Sequence, residues 1–349
     1  MKSAVSVVIV NCNGKDYVDK CVKSIINSNS KDYQIVVVDN GSKDGSVALL
    51  KDNYSSLNEK LAVVALSKNF GPARARNEGM KLADSDYVCF LDNDTEVHPD
   101  WAIEAIKEFQ EDEKIGIIQC KLVLAKERDR LDYVGEYLGQ NGFLVQRAPG
   151  GEIDTGQYDK NVEILAAKSA GMFIRKKVFD EIGGFDDDYF IYVEETDLGW
   201  RSWLLGYKNI FVYKSVVYHE CGTSSITLGK TRASFNAKFH GSKNYILTLY
   251  KNLETRNLFG ILLPHILLWL GLAGYNLLRG RVKEFSWIIR GIVWNLLNLP
   301  RNSRKRALIQ RKRVRLDDEL FKVFMRRMPF SYFLSKATLK QKIGNAESF

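Results

Sequence analysis

The chain of 349 residues is long enough for two domains, or for one large domain with an appendage. Hydrophobic residues make up 45% and charged residues 27%, which excludes a disordered chain, a collagen-like repeat and a many-span membrane protein. The net charge of +9 is uneven: residues 1–240 carry 30 Lys and Arg against 36 Asp and Glu, and residues 241–349 carry 21 against 6, the balance of a catalytic domain with a basic tail.

In chain order, the β-branched run at 4–10 ends at Asn11, Asn13 and Gly14. Tyr17, Val18, Cys21, Val22, Ile25 and Ile26 then recur at helical spacing. QIVVVD (34–39) is a strand closed by Asn40-Gly41-Ser42, 46–51 a short helix, and 61–66 a further strand. Gly71-Pro72 starts a helix running to about Ala83, and YVCFLD (87–92) is a fourth strand. Strands that are apolar throughout and separated by helices predict an α/β fold with a mostly parallel sheet flanked by helices. In such sheets ligands bind beyond the carboxyl ends of the strands. Three polar clusters stand there: Asn11, Asp39-Asn40 and Asp92-Asn93-Asp94. Asp and Asn also favour turns, but three clusters on one edge, the last with two carboxylates, point to a binding edge.

Neither G-x-G-x-x-G after the first strand nor a G-x-x-x-x-G-K-[ST] loop is present, so a glycine cradle is not the phosphate-binding device. The alternative is Mg²⁺ or Mn²⁺ held by carboxylates against a diphosphate. Five widely spaced cysteines (Cys12, Cys21, Cys89, Cys120, Cys221) without C-x-x-C make a disulfide framework or zinc module unlike this chain. Together with an opening MKSAVSVVIV too short for a signal peptide, they predict a cytoplasmic location.

The order VSVVIVNCNG, VVVDNGS, NFGPARARNEG and FLDND resembles the family 2 glycosyltransferases. The stretch SAGMFIRKKVFDEIGGFDDDYFIYVEETDLGWR is similar to the rhamnosyltransferase-like branch, and the likeness covers about residues 4–225. The resemblance implies a GT-A, Rossmann-like fold, a nucleotide-sugar donor, and inversion by one in-line displacement. It assigns Asn11 and Asp39 to the nucleotide base or ribose, and Arg76, Asn77 and Asn93 to the nucleotide pocket. Asp92 would face the ribose and metal shell, with Asp94 as the direct metal ligand. Cys12 stands where family members often carry Tyr, and cysteine offers no stacking face.

A carboxylate suits deprotonation of the acceptor hydroxyl. Glu194, Glu195 and Asp197 open a helix stopped near Gly206, where acids also favour the positive dipole end. The family's Glu-Asp-x-Asp-Leu element matches Glu194-Glu195-Thr196-Asp197-Leu198, which implies Glu195 as the catalytic base, with Glu194 the alternative. His219, before Glu220 and the Gly222-Thr223-Ser224 loop, falls where the resemblance puts a histidine beside metal and diphosphate. His98, His240 and His265 read as structural, and Gly183-Gly184-Phe185 as a tight turn in a region the family uses to line its acceptor site.

Residues 258–278 contain no Asp, Glu, Lys or Arg, and 285–299 are interrupted only by Arg290. RNSRKRALIQRKRVR (301–315) then has eight basic residues in fifteen. Trp269, Trp287 and Trp294 among leucines suggest a membrane interface. Because nucleotide sugars and the arginine cluster both belong on the cytoplasmic side, an in-plane or re-entrant helical pair is expected, docked on anionic inner-leaflet lipids. The expected division is a GT-A domain at 1–240, its nucleotide-sugar half about 1–115 and acceptor half about 116–240, followed by a basic helical membrane-association region at 241–349. The predicted partners are a nucleotide-sugar donor, a lipid-linked or glycan acceptor and lipid, and no nucleic-acid module accompanies the basic run. A processive synthase would carry Q-x-x-R-W and several spans, and a nucleotidylyltransferase G-x-G-T-R; both are missing. The rival of another class is a catalytically silent membrane-bound scaffold on the same fold.

Overall fold

The computed structural model describes residues 3–220 and 236–328, so Cys221 and the Gly222-Thr223-Ser224 loop lie outside the described residues. The amino-terminal unit alternates as expected: β1 (Val5–Asn11), α1 (Lys15–Asn27), β2 (Tyr33–Asp39), α2 (Ser46–Asn53), β3 (Leu61–Ala65), α3 (Pro72–Met80) and β4 (Tyr87–Asp92). Strands β3, β2, β1 and β4 are neighbours in that order and all parallel. Their apolar residues serve both faces. Val7, Ile9, Ile35 and Val37 join one core with α1, while Val8, Val36 and Val38 join the other with α3. Helix α3 lies so close to the sheet that a Cβ on Gly79 would stand 2.3 Å from Val8 Cγ1, a position only glycine fills.

Beyond β4 the sheet is mixed. After β5 (Thr95–Val97) and α4 (Trp101–Glu111) come β6 (Ile115–Leu124), β7 (Leu131–Tyr133), β8 (Glu136–Gly139), β9 (Leu144–Gln146), β10 (Val162–Glu163), β11 (Met172–Arg175), α5 (Lys176–Ile182), α6 (Glu194–Leu204) and β12 (Lys208–His219). The full order is β10-β12-β6-β11-β4-β1-β2-β3, with β5 on β12 and β7 on β6. Strand β11 runs antiparallel to both β4 and β6, while β6 and β12 pair parallel, so the parallel character is unbroken in the first half of the sheet and mixed in the second.

The carboxyl-terminal part comprises α7 (Ala237–Asn252), α8 (Leu263–Leu278), α9 (Val282–Leu297), α10 (Leu299–Lys312) and α11 (Asp317–Phe324). Asn236 caps α7 by accepting from the Lys238 and Phe239 amides. The division expected at residue 240 falls inside α7, whose inner face is built into the first part. Lys251, 1% exposed, lies 2.7 Å from Asp186 and 3.0 Å from Asp197, and Asn252 donates to Asp197 at 2.9 Å. Lys305 pairs with Asp186 and Asp188, and Arg301 with Asp188. Burial alone would raise the Asp186 carboxyl, but Lys251 and Lys305 hold it well below the usual carboxylate range. Arg306 donates to the Tyr250 and Leu253 carbonyls, and Arg313 to Asp317.

Part of the 301–315 cluster is thus engaged by the protein's own acids and carbonyls, whereas Arg304 and Arg311 stand exposed. The tryptophans also make contacts within the protein. Trp269 is buried and donates to His265, Trp294 lies under Lys243, and Trp287 packs on Phe239. The apolar outer face remains open. Thr255–Leu278 forms a helix long and apolar enough to cross a membrane, with mean hydropathy 1.8 and only 22% of its most apolar stretch buried. Its π-helical turn at Leu258–Leu262 stands just ahead of Pro264, which supplies no N–H to the regular ladder.

Candidate active site

The carboxyl ends of β2, β1 and β4 carry a line of side-chain hydrogen bonds. Asn11 pairs in register with Asp39 and donates to its Oδ2 at 2.9 Å; Asn93 donates to Asn11 Oδ1 at 2.7 Å. The Ser42 amide donates to Asp39 Oδ1 at 2.9 Å. Asp39 is 2% exposed, with one oxygen taken by Asn11 and the other by the Ser42 amide that closes the 39–42 turn. Cys12 accepts from Asn69 at 3.4 Å, and burial pushes its thiol up, so it is a neutral side chain in this edge. Asn77 is turned elsewhere: its amide donates to the Phe185 carbonyl at 2.8 Å and accepts from the Phe185 N–H at 2.9 Å. That pair fixes the Gly183-Gly184-Phe185 turn, where Gly183 and Gly184 have φ of 88° and 73°.

A second cluster forms where β4 ends. After Asp92 the chain turns through Asn93 and Asp94 into β5, which pairs antiparallel with the end of β12, setting Thr95 opposite His219. The Thr95 hydroxyl donates to the Asp92 carbonyl at 2.8 Å, and the Glu220 amide donates to the Asp94 carbonyl at 3.0 Å. Asp92, Asp94 and His219 consequently offer ligand atoms that all lie within 4.8 Å of one another. His219 Nε2 is 3.4 Å from Asp94 Oδ1, while its Nδ1 is 2.9 Å from Asp132 Oδ2. Burial and the neighbouring Asp94 raise the Asp92 carboxyl above its ordinary range against the pull of Arg76. Two carboxylates and an imidazole form a donor set that fits a divalent cation.

The third element is the entry to α6. Phe190, Tyr192 and Val193 all have positive φ (60°, 70° and 68°), a costly run for non-glycine residues. It is held from α7, where the Asn244 amide donates to the carbonyls of Tyr189, Ile191 and Tyr192 at 3.1, 2.8 and 2.7 Å. It is held from α3 as well: Gly71, φ 86°, leaves room for the Phe190 carbonyl, which a Cβ there would meet at 2.5 Å. This bend delivers Glu194 and Glu195 to the first turn of α6.

Arg76, 4% exposed, joins the clusters. Its Nη1 donates to Glu194 Oε1 at 3.0 Å, and its Nη2 stands 3.2 Å from Asp92 Oδ1 and 3.7 Å from Glu195 Oε1. Glu195 Oε1 also accepts from the Ser169 amide at 2.8 Å and from the Ser169 hydroxyl. Burial first, then Glu195, pushes Glu194 up to about 7. Asp197 faces the other way and is spent on Arg201, Lys251 and Asn252.

Two acids beside these clusters escaped the sequence reading, Asp132 and Glu136. Each stands alone among apolar residues in a strand, with no motif to mark it. Glu136 is buried and accepts from the Thr196 hydroxyl at 2.7 Å; burial and Glu195 push it from 4.5 to about 7. Below pH 4.5 it is protonated folded or unfolded; as pH rises towards 7 the unfolded chain alone ionises, so stability is lost over that window. Replacing Glu136 with Gln is expected to raise the unfolding free energy measured in urea at pH 8 by up to about 3 kcal/mol, and to leave it nearly unchanged at pH 4.5.

The family model for glycosyl transferase family 2 matches residues 6–183, just over half of the chain. The chain belongs to glycosyl transferase family 2. It is 36% identical over 93 residues to the putative teichuronic acid biosynthesis glycosyltransferase TuaG of Bacillus subtilis, covering 27% of this chain and 36% of that one. Over 195 residues it is 26% identical to the O-antigen biosynthesis protein RfbC of Myxococcus xanthus, covering 54% and 15%. The chain thus spans about a third or less of these relatives' lengths. Among solved structures, GalNAc-T7 with UDP, GalNAc and Mn²⁺ superposes with a TM-score of 0.59 at 18% identity, over 84% of this chain and 57% of that one. That likeness shows the shared GT-A fold.

Proposed function

We propose that the enzyme moves a sugar from a dTDP- or UDP-linked donor, rhamnose among the candidate sugars, to a hydroxyl of a lipid-linked or cell-surface glycan, with inversion at the anomeric carbon. The observation that carries this reading is the single Arg76 Nη2, which lies within 4 Å of both Asp92 and Glu195 and so ties the cation-fitting cluster to the candidate base. The names of TuaG and RfbC attach those relatives to surface polysaccharides. GalNAc-T7 was solved with UDP and Mn²⁺, and the mannosyltransferase PcManGT of Pyrobaculum calidifontis with GDP-Man and Mn²⁺.

Asp94, His219 and Asp92 would hold Mn²⁺ or Mg²⁺, and the imidazole favours Mn²⁺ of the two. Bound there, such an ion neutralises charge on a leaving diphosphate. The chain's own residues do the rest. Ser169 and Arg76 fix Glu195 Oε1, which leaves Oε2 to take the acceptor's proton. Asn11, Asn93 and Asp39 set the strand-end surface against the nucleotide, and no covalent intermediate is required.

The enzyme would act at the cytoplasmic face of a membrane, lying on it through α8 and α9. Phe259, Leu278 and Leu297 are 78%, 89% and 78% exposed along this ridge, and Arg281 and Lys283 stand exposed at its turn. One experiment tests both parts. Radiolabelled UDP-glucose, UDP-GalNAc and dTDP-rhamnose are incubated with the full chain, Mn²⁺ and anionic vesicles carrying extracted bacterial lipid. Mn²⁺-dependent labelling of lipid from one donor, with the protein sedimenting with the vesicles, is the expected outcome. Vesicle binding without turnover of any donor would favour the silent scaffold.

A further inference from the structure

We propose that Asp132 is a positioning residue of the cation site, holding His219 in the tautomer and ring orientation that aim its Nε2 lone pair at Asp94. The proposal rests on the cation reading above and adds a residue to it. A neutral imidazole carries one proton, on either nitrogen, and only the other nitrogen can ligate. Asp132 Oδ2 lies 2.9 Å from Nδ1, an N–H···O distance, whereas Nε2 stands 3.4 Å from Asp94 Oδ1, beyond the usual hydrogen-bond range. The geometry is that of a proton kept on Nδ1 by a carboxylate, with Nε2 turned to the side where Asp94 and Asp92 lie.

The backbone supports this placement. Asp132 is the middle residue of β7, between Leu131 and Tyr133, which are both buried. Alternation along the strand turns Asp132 to the opposite face. Strand β7 is antiparallel to β6, whose last residue, Leu124, is the register partner of His219. The strand is anchored on its other side, with the Leu131 amide donating to the Glu152 carbonyl at 2.8 Å and the Gly151 amide to the Leu131 carbonyl at 2.7 Å. Asp132 and His219 side chains are only 12% and 14% exposed, so water competes weakly for the bond. Thus the acid and the ring are fixed by two strands of one sheet, neither of which contains Asp92 or Asp94.

Mn²⁺ binding to the full chain, followed by the loss of the free-ion electron paramagnetic resonance signal, tests the assignment. Nitrogen modulation of the bound-ion signal reports whether the imidazole is a ligand. Asp132→Ala is expected to weaken Mn²⁺ about 10–100-fold and to reduce the nitrogen modulation, with Asp132→Asn between it and the wild type. A merely structural acid would lower the melting temperature and leave the modulation intact. Unchanged affinity and modulation in both variants, while His219→Ala loses them, would overturn the proposal alone. Unchanged Mn²⁺ binding in His219→Ala and Asp94→Ala would instead overturn the cation reading on which it rests. Asp132→Asn keeps the side-chain shape and serves if Asp132→Ala does not fold.

Discussion

Glu195→Gln is expected to lower the rate of sugar transfer by about 10²–10⁴-fold, the range over which a positioned general base contributes. The exchange is close to isosteric. The Gln carbonyl oxygen still accepts from the Ser169 amide, so the first turn of α6 keeps its anchor. What changes is the outer position, where an amide nitrogen cannot take a proton. Steady-state kinetics at saturating donor should therefore show the loss in kcat, with donor affinity and Mn²⁺ dependence retained. Glu194→Gln makes the contrast. Glu194 has a 4% exposed side chain, pairs with Arg76 and sits raised to about 7, whereas the Glu195 side chain is 22% exposed. An acceptor reaches the second far more readily than the first. A large loss in Glu194→Gln with Glu195→Gln near wild type would reverse the assignment.

The nucleotide-side half of the fold was legible because its information is local. The strands are short apolar runs, three of them ended by Asn or Asp, and α1 shows its own apolar spacing, so Asn11, Asp39 and Asp92 could be placed at strand ends from the sequence alone. The motif around Glu194 and Glu195 was legible for the same reason. Arg76 was visible as a residue but not as a link, because its partners lie 16, 118 and 119 positions away in the chain and nothing local names them. Asp132 and Glu136 were silent, since one acid in a half-apolar strand has the same appearance whether it faces solvent, a histidine or a threonine.

The basic tail shows a strong local signal, part of whose partners are acids remote in the sequence. Eight bases in fifteen read as a lipid-facing cluster, yet Asp186 and Asp188, more than a hundred residues earlier, recruit Arg301 and Lys305. The energetic reason is burial. Acids packed under α7 need counter-charges far more than exposed headgroups do, because an unmatched buried carboxylate costs several kcal/mol. This arrangement also explains why the expected division at residue 240 cuts through a helix. The acidic GGFDDDYF stretch and the strained bend at 189–193 are held from α7 and α10, so the entry to α6 is finished by the part of the chain that follows it.

Sugar transfer by this chain depends, in the reading proposed above, on a cation held where Asp92, Asp94 and His219 converge. The most direct measurement is the Mn²⁺ dependence of sugar transfer in Asp94→Ala beside the wild type. An ion stabilising a leaving diphosphate contributes several kcal/mol, so kcat/KM is predicted to fall about 10³-fold or more, a loss that added Mn²⁺ does not restore. Transfer in Asp94→Ala at the wild-type rate and with the wild-type Mn²⁺ response would contradict it.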